Sequence, residues 1–141
     1  MVSSLAATDR PAAALETSTA RGTVTLLREG DGTVVCERCV VAHTTLARMR
    51  GLLGRRELPP GEGMLIRPAP SIQTFFMRFP IDVVFLSRRG DVLKVSEDVR
   101  PWRAAAARRA HSTLELPAGE ARRRGIETGQ RLIPHQLGQQ E

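Results

Sequence analysis

Residues 71–86 read SIQTFFMRFPIDVVFL, and the architecture turns on how these residues fold. All four phenylalanines of the chain fall inside the stretch, at Phe75, Phe76, Phe79 and Phe85. Large aromatic side chains dominate the energetics of a small core, so the stretch is expected to be the hub on which the rest packs. Pro80 divides it, because proline cannot donate to a ladder, and the pattern predicts one strand over 72–77 and a second over 81–86. Gln73, Thr74, Arg78 and Asp82 stand among the apolar residues. Such groups are costly to bury unless they pair with one another or face a wetted cavity. The expectation is therefore a core with a groove beside it.

Ahead of the hub, GTVTLLREGDGTVVCERCVVA from Gly22 gives two β-branched runs, 23–28 and 33–41, separated by Glu29-Gly30-Asp31-Gly32. This is a hairpin signal. Residues 43–54 place Leu46, Met49 and Leu53 on one helical face, with Thr44 as cap and Gly54 as stop. A rigid loop, LPPGEG, leads to a short strand over 64–67 that stops before Pro68 and Pro70. Beyond the hub, Ser87-Arg88-Arg89-Gly90-Asp91 predicts a turn that returns through Val92 to Val99. Residues 104–110, rich in Ala and Arg, predict a loop or a weak helical turn. Thr113 to Leu116 predicts a strand, Pro117 to Arg124 a short helix closed by Gly125, and 129–133 a turn with a last strand.

The fold expected from this order is α+β: one compact domain, mainly an antiparallel sheet or partly closed small barrel of about seven strands, with two short helices. A chain of 141 residues is long enough to bury a core without metals or disulfides. The sequence divides into a disordered leader over 1–21, a globular domain over 22–134 and a flexible tail over 135–141. The leader has neither a basic n-region nor an apolar h-region, which predicts a cytoplasmic protein with no membrane partner. The formal charge of +6 rests on arginine, since Lys94 is the only lysine. Arginine binds phosphates and carboxylates, but these arginines are scattered and do not alternate with aromatics, so nucleic acid is the third reading.

Four pieces, ARMRGLLGRRELPPGEGMLI, SIQTFFMRFPIDVVFL, VRPWR and LELPAGEARRRGIETGQRL, carry a resemblance. In that order and spacing the chain resembles the family catalogued as domain of unknown function 192. The resemblance implies a small bacterial and archaeal domain with a compact, strand-rich fold and no established biochemical activity. It also implies that Gln73 stands where similar proteins often carry His, and Gln130 where they commonly carry Asp.

Cys36 and Cys39 form a C-x-x-C with His43 four residues on, a weak candidate for metal. Structural zinc wants four ligands, and residues three apart in a strand point to opposite faces unless a local turn intervenes. Two reduced, buried thiols are the expectation, and no cofactor is expected. Asp82 and Glu115 are the carboxylates set inside apolar strands. Facing one another they would make an acid and base pair; otherwise each pairs with an arginine such as Arg50 or Arg78, or caps backbone N–H groups. The groove beside residues 71–86 is expected to be lined by Arg50, Gln73, Thr74, Met77, Arg78, Asp82, Trp102 and Glu115, with Met77 and Trp102 as apolar wall and Arg78 as anion binder. The leading function is a non-enzymatic module, expected as a monomer, that binds a small molecule or a peptide; an enzyme using Asp82 and Glu115 is the alternative.

Overall fold

The structure, a computed structural model, describes residues 22–43 and 55–135. The leader over 1–21, the helix expected within 43–54 with Arg50, and the tail beyond residue 135 lie outside the described residues. Among the described residues nine strands and one short helix follow in the order β1 (Thr23–Arg28), β2 (Val34–Ala42), β3 (Glu62–Ile66), β4 (Ser71–Gln73), β5 (Ile81–Leu86), β6 (Val92–Val99), β7 (Ala104–Ala106), β8 (Ser112–Pro117), α1 (Glu120–Arg123) and β9 (Leu132–His135). The architecture is therefore mostly β. Among the described residues the only helix is the four-residue α1, within the short helix expected over 117–124, and the fold they form is a curled sheet.

Seven strands form that sheet in the order β6-β5-β8-β3-β2-β1-β9. All neighbours are antiparallel except β2 and β3, which run parallel. Thus the chain is not a simple meander. The sheet curls into a half-barrel whose ends meet at an antiparallel bridge between Asp91 and Arg131. Main-chain bonds from Val92 N to Gln130 O (2.8 Å) and from Leu132 N to Gly90 O (2.9 Å) extend that seam.

Two apolar clusters explain why the strands read as they do. One, with Leu26, Val35, Val84, Leu114 and Leu116, fills the concave side. The other, with Met64, Ile66, Ile72, Met77, Phe79, Val83 and Phe85, packs on the opposite face of β3, β8 and β5. Strand β5 is consequently buried at all six positions, and the unbroken run IDVVFL is what a strand covered on both faces requires. The covering layer over the second cluster is a small two-stranded sheet of β4 and β7.

This small sheet is where the sequence-based expectations fail most. The strand expected over 72–77 stops at Gln73, and the Ala-rich stretch expected as a loop or helical turn supplies its partner, with Ile72 opposite Ala105. Three-residue strands lie below what periodicity resolves. Phe79 and Phe85 are buried as a hub requires, but Phe75 and Phe76 are exposed. The chain turns after Thr74, and Phe76 takes a left-handed backbone with φ of 69°.

Candidate functional site

Phe75, Phe76 and Trp102 gather at one end of the small sheet. Phe75 stacks on Trp102 with ring centroids 5.4 Å apart, and Phe76 tilts against the same indole at 4.7 Å. Phe76 is 64% exposed and Trp102 55%. Trp102, like Phe76, is left-handed, with φ of 66°. A bulky residue in this region costs on the order of 1 kcal/mol or more, and here two do so while leaving their rings in water.

Thr74 holds this arrangement. It is fully buried, and its hydroxyl donates to Arg100 O at 2.6 Å while accepting from Arg103 N at 2.9 Å. Its own N–H reaches Arg103 O at 2.8 Å, and its carbonyl accepts from Trp102 N at 3.0 Å and Met77 N at 3.2 Å. The Gln73 side-chain oxygen accepts from Phe75 N and fixes the start of the turn. Exposed Arg78 and Arg103 lie on the same two loops, and Arg100 meets Asp98 at 3.6 Å.

Beside this cluster opens a cavity of about 690 Å³, lined by His43, Ile66, residues 68–73 and residues 104–106. This cavity adjoins the 71–86 stretch, with a lining different from the one expected there. Of the residues expected there, Gln73 contributes directly. Thr74 and Trp102 sit at its end, Met77 is buried in the second core cluster rather than forming a wall, and Arg78 is exposed. Asp82 and Glu115 are elsewhere in the sheet. Sequence reasoning missed Phe75 and Phe76, although two adjacent phenylalanines in one extended segment must point to opposite faces. It also placed His43 with the cysteines; its Nε2 is buried at the cavity lining with no hydrogen-bond partner among the described residues.

The two carboxylates do not make an acid and base pair. Glu115 stands directly opposite Val83, and Asp82 opposite Leu116, so they point to opposite faces of the sheet. Asp82 instead organises backbone. One oxygen accepts from Asp98 N at 2.8 Å, and the other from Gly119 N and Ala121 N, each at 2.9 Å. Its role is the capping expected as the alternative to chemistry.

The cysteines converge, contrary to the simple strand rule. Val24 pairs with Cys39 and Leu26 with Cys36, so β2 carries one extra residue against β1, a bulge that turns both thiols inward and leaves Glu37 and Arg38 outside. Both cysteines are buried and reduced. The Cys39 thiol is pushed well up from its ordinary value, first by its hydrogen bond with the Cys36 sulfur and then by burial. Cys36 Sγ in turn lies 3.6 Å from Gly61 O. Gly63 makes room for this pair: a Cβ there would stand 2.9 Å from Cys36 Sγ and from Glu115 O. Among the described residues no three His, Cys, Asp or Glu side chains gather as metal ligands.

Several arginines are structural. Arg124 donates to both Glu37 oxygens (2.8 and 3.2 Å) and to Val34 O (2.9 Å), and Arg28 reaches Arg124 O at 2.9 Å. Among the described residues no helix is long and apolar enough to cross a membrane.

Comparison with known proteins bears on the whole of this architecture. No curated protein matches the chain. Two crystal structures share its fold. One is a putative transcription regulator from Sinorhizobium meliloti 1021, with TM-score 0.71 and 23% identity over 82% of this chain and 96% of that one. The other is a protein of unknown function from Novosphingobium aromaticivorans DSM 12444, with TM-score 0.67 and 24% identity over 85% and 96% of the respective chains. The profile of domain of unknown function 192, described as "Uncharacterized ACR", matches residues 26–133. The chain belongs to that family.

Proposed function

We propose that this domain is a non-enzymatic binding module whose site is the groove between the β4–β7 sheet and the end of β3, with Phe75, Phe76 and Trp102 as its rim. One observation carries the reading. Two aromatic residues are held in left-handed conformations by the buried Thr74 so that their rings stay exposed at the groove's end. Folding alone gains little from that arrangement, and strained residues persist where a partner makes use of them. Asp82 accepts three backbone bonds and points to the opposite face of the sheet from Glu115, which favours the binding reading over an acid and base pair.

Nucleic-acid binding draws support from the shared fold of the Sinorhizobium protein, a putative transcription regulator. Against it, Arg28 and Arg124 are engaged with backbone and carboxylates, and both neighbours of the Trp102 ring are already aromatic. The test is a titration of the ¹⁵N-labelled full chain with a fragment and peptide pool. Binding at the site moves the amides of Ser71, Gln73 and Ala104 together with the Trp102 indole. Shifts confined to other faces, or none at all across the pool, overturn the proposal.

A further inference from the structure

The open edge of β4 narrows the class of ligand. Among the described residues strand β4 pairs with β7 alone. Thr74 N donates to Arg103 O, and Pro70 O accepts from Ala107 N, so the main-chain groups of even-numbered residues face β7. By the alternation of an antiparallel ladder, the N–H and C=O of Ser71 and Gln73 face the other way. Neither residue's main chain has a hydrogen-bond partner among the described residues. The outer edge of β7 differs, since Lys94 Nζ donates to Ala106 O at 2.9 Å.

We propose that the groove binds an extended acidic peptide, which adds to the open edge of β4 as a third strand through the main chains of Ser71 and Gln73. This rests on the binding-module reading and names its ligand. An edge of four main-chain groups unpaired among the described residues, beside an apolar cavity, is the geometry of strand addition, in which backbone bonds give affinity and alternate side chains give specificity. Lipid and nucleic acid have no backbone amides to offer such an edge. The acidic preference follows from charge: exposed Arg78, Arg100 and Arg103 adjoin the aromatic rim, and only Arg100 of the three meets a carboxylate among the described residues, Asp98 of β6 at 3.6 Å.

The experiment is selection of random heptapeptides on the full chain, followed by N-methylation of the best binder one amide at a time. Selected peptides are expected to be enriched in Asp and Glu, and their affinity to fall as salt rises. Methylation at alternate amides should weaken binding about tenfold, the factor of one lost main-chain hydrogen bond, and methylation at the intervening amides should not. The amides of Ser71 and Gln73 should exchange more slowly with peptide bound. Failure to enrich any peptide, uniform tolerance of methylation, or enrichment of basic peptides overturns the inference. If oligo-dT or phosphatidylglycerol vesicles bind at the rim while peptides do not, it is likewise overturned. Fragments that still move the groove amides in any of those cases leave the binding-module reading standing; no ligand at the groove in either experiment ends both.

Discussion

A single hydroxyl, that of Thr74, joins the loop after β4 to the loop before β7, and both left-handed aromatics depend on that junction. Replacing it with an isosteric methyl, Thr74→Val, removes the bond to Arg100 O and leaves the part-buried Arg103 N–H without its acceptor. The expected cost is about 1–3 kcal/mol, read from the denaturant midpoint. Emission from Trp102, the only tryptophan, should change at the same time as Phe75 and Phe76 lose their register on it. A variant that loses stability with unaltered emission would show that the aromatic cluster is held by something else. The cysteines give a second expectation for single residues. The Cys39 thiol is held protonated by Cys36 and by burial, and the thiolate is the reactive form. Both thiols should resist a soluble disulfide reagent in native buffer at neutral pH and react fully in denaturant; rapid native labelling would contradict the burial. That the thiols meet was not legible from the sequence, because the extra residue at Glu37 and Arg38 carries no proline or glycine to announce a bulge. The polar residues of the hub were legible as unusual. What they do, with Thr74 bonding to backbone and Asp82 capping it, depends on partners 29 and 37 positions away, beyond any local pattern.

Among the elements, the sequence told most where strands are long and their turns carry glycine. The β1–β2 turn has Gly30 and Gly32 at positive φ, and the β5–β6 turn has Gly90, as their positions between β-branched runs led one to expect. It told least where an element exists only through its partner, as with β4, β7 and α1. Helix α1 has four residues, far too few to be stable alone. It stands because Asp82 accepts from Gly119 N and Ala121 N, while Glu120 bonds Gly61 N at 3.3 Å and Arg124 at 3.2 Å. Asp82→Asn keeps the shape but sets an amide NH2 against backbone donors. The expected loss is about 1.5–3 kcal/mol, the scale of a hydrogen bond to a charged group, with hydrogen exchange rising first at Gly119 and Ala121. Ligand binding at the β4 groove should survive in the folded fraction, since Asp82 lies away from that groove. An enzyme relying on this carboxylate would instead keep its fold and lose turnover.

Over the whole molecule, closure of the half-barrel rests on a narrow seam where β6 and β9 meet. Gly90 belongs to it with φ of 93°, and a Cβ there would run into the Leu132 carbonyl. Across the seam Arg131 Nε donates to Asp91 Oδ1 at 2.8 Å. That bond holds the Asp91 carboxyl below the usual carboxylate range, with the charge of Arg131 and a bond from Ser87 acting in the same direction. Glu37 is lowered likewise by its hydrogen bond to Arg124, which ties β2 to the end of α1. His111 is lowered by burial and by the charges of Arg88 and Arg67. For the two carboxylates a depressed folded value means that their contribution is complete above the unfolded value and is lost as pH falls through the folded one. For His111 the folded state favours the neutral ring, so stability is again lost on acidification, starting in the ordinary imidazole range near about pH 6.5. The net charge of +6 grows further as carboxylates protonate, and that self-repulsion acts in the same sense. Calorimetry across pH should therefore show a melting temperature that declines modestly below neutrality and more steeply once the carboxylates titrate. Asp91→Asn removes one of those groups, so its curve should start lower at pH 7 and run closer to the wild type at pH 3. Two curves that stay parallel down to acid would mean that the seam is held by its backbone bonds alone, with the Arg131 pair contributing nothing.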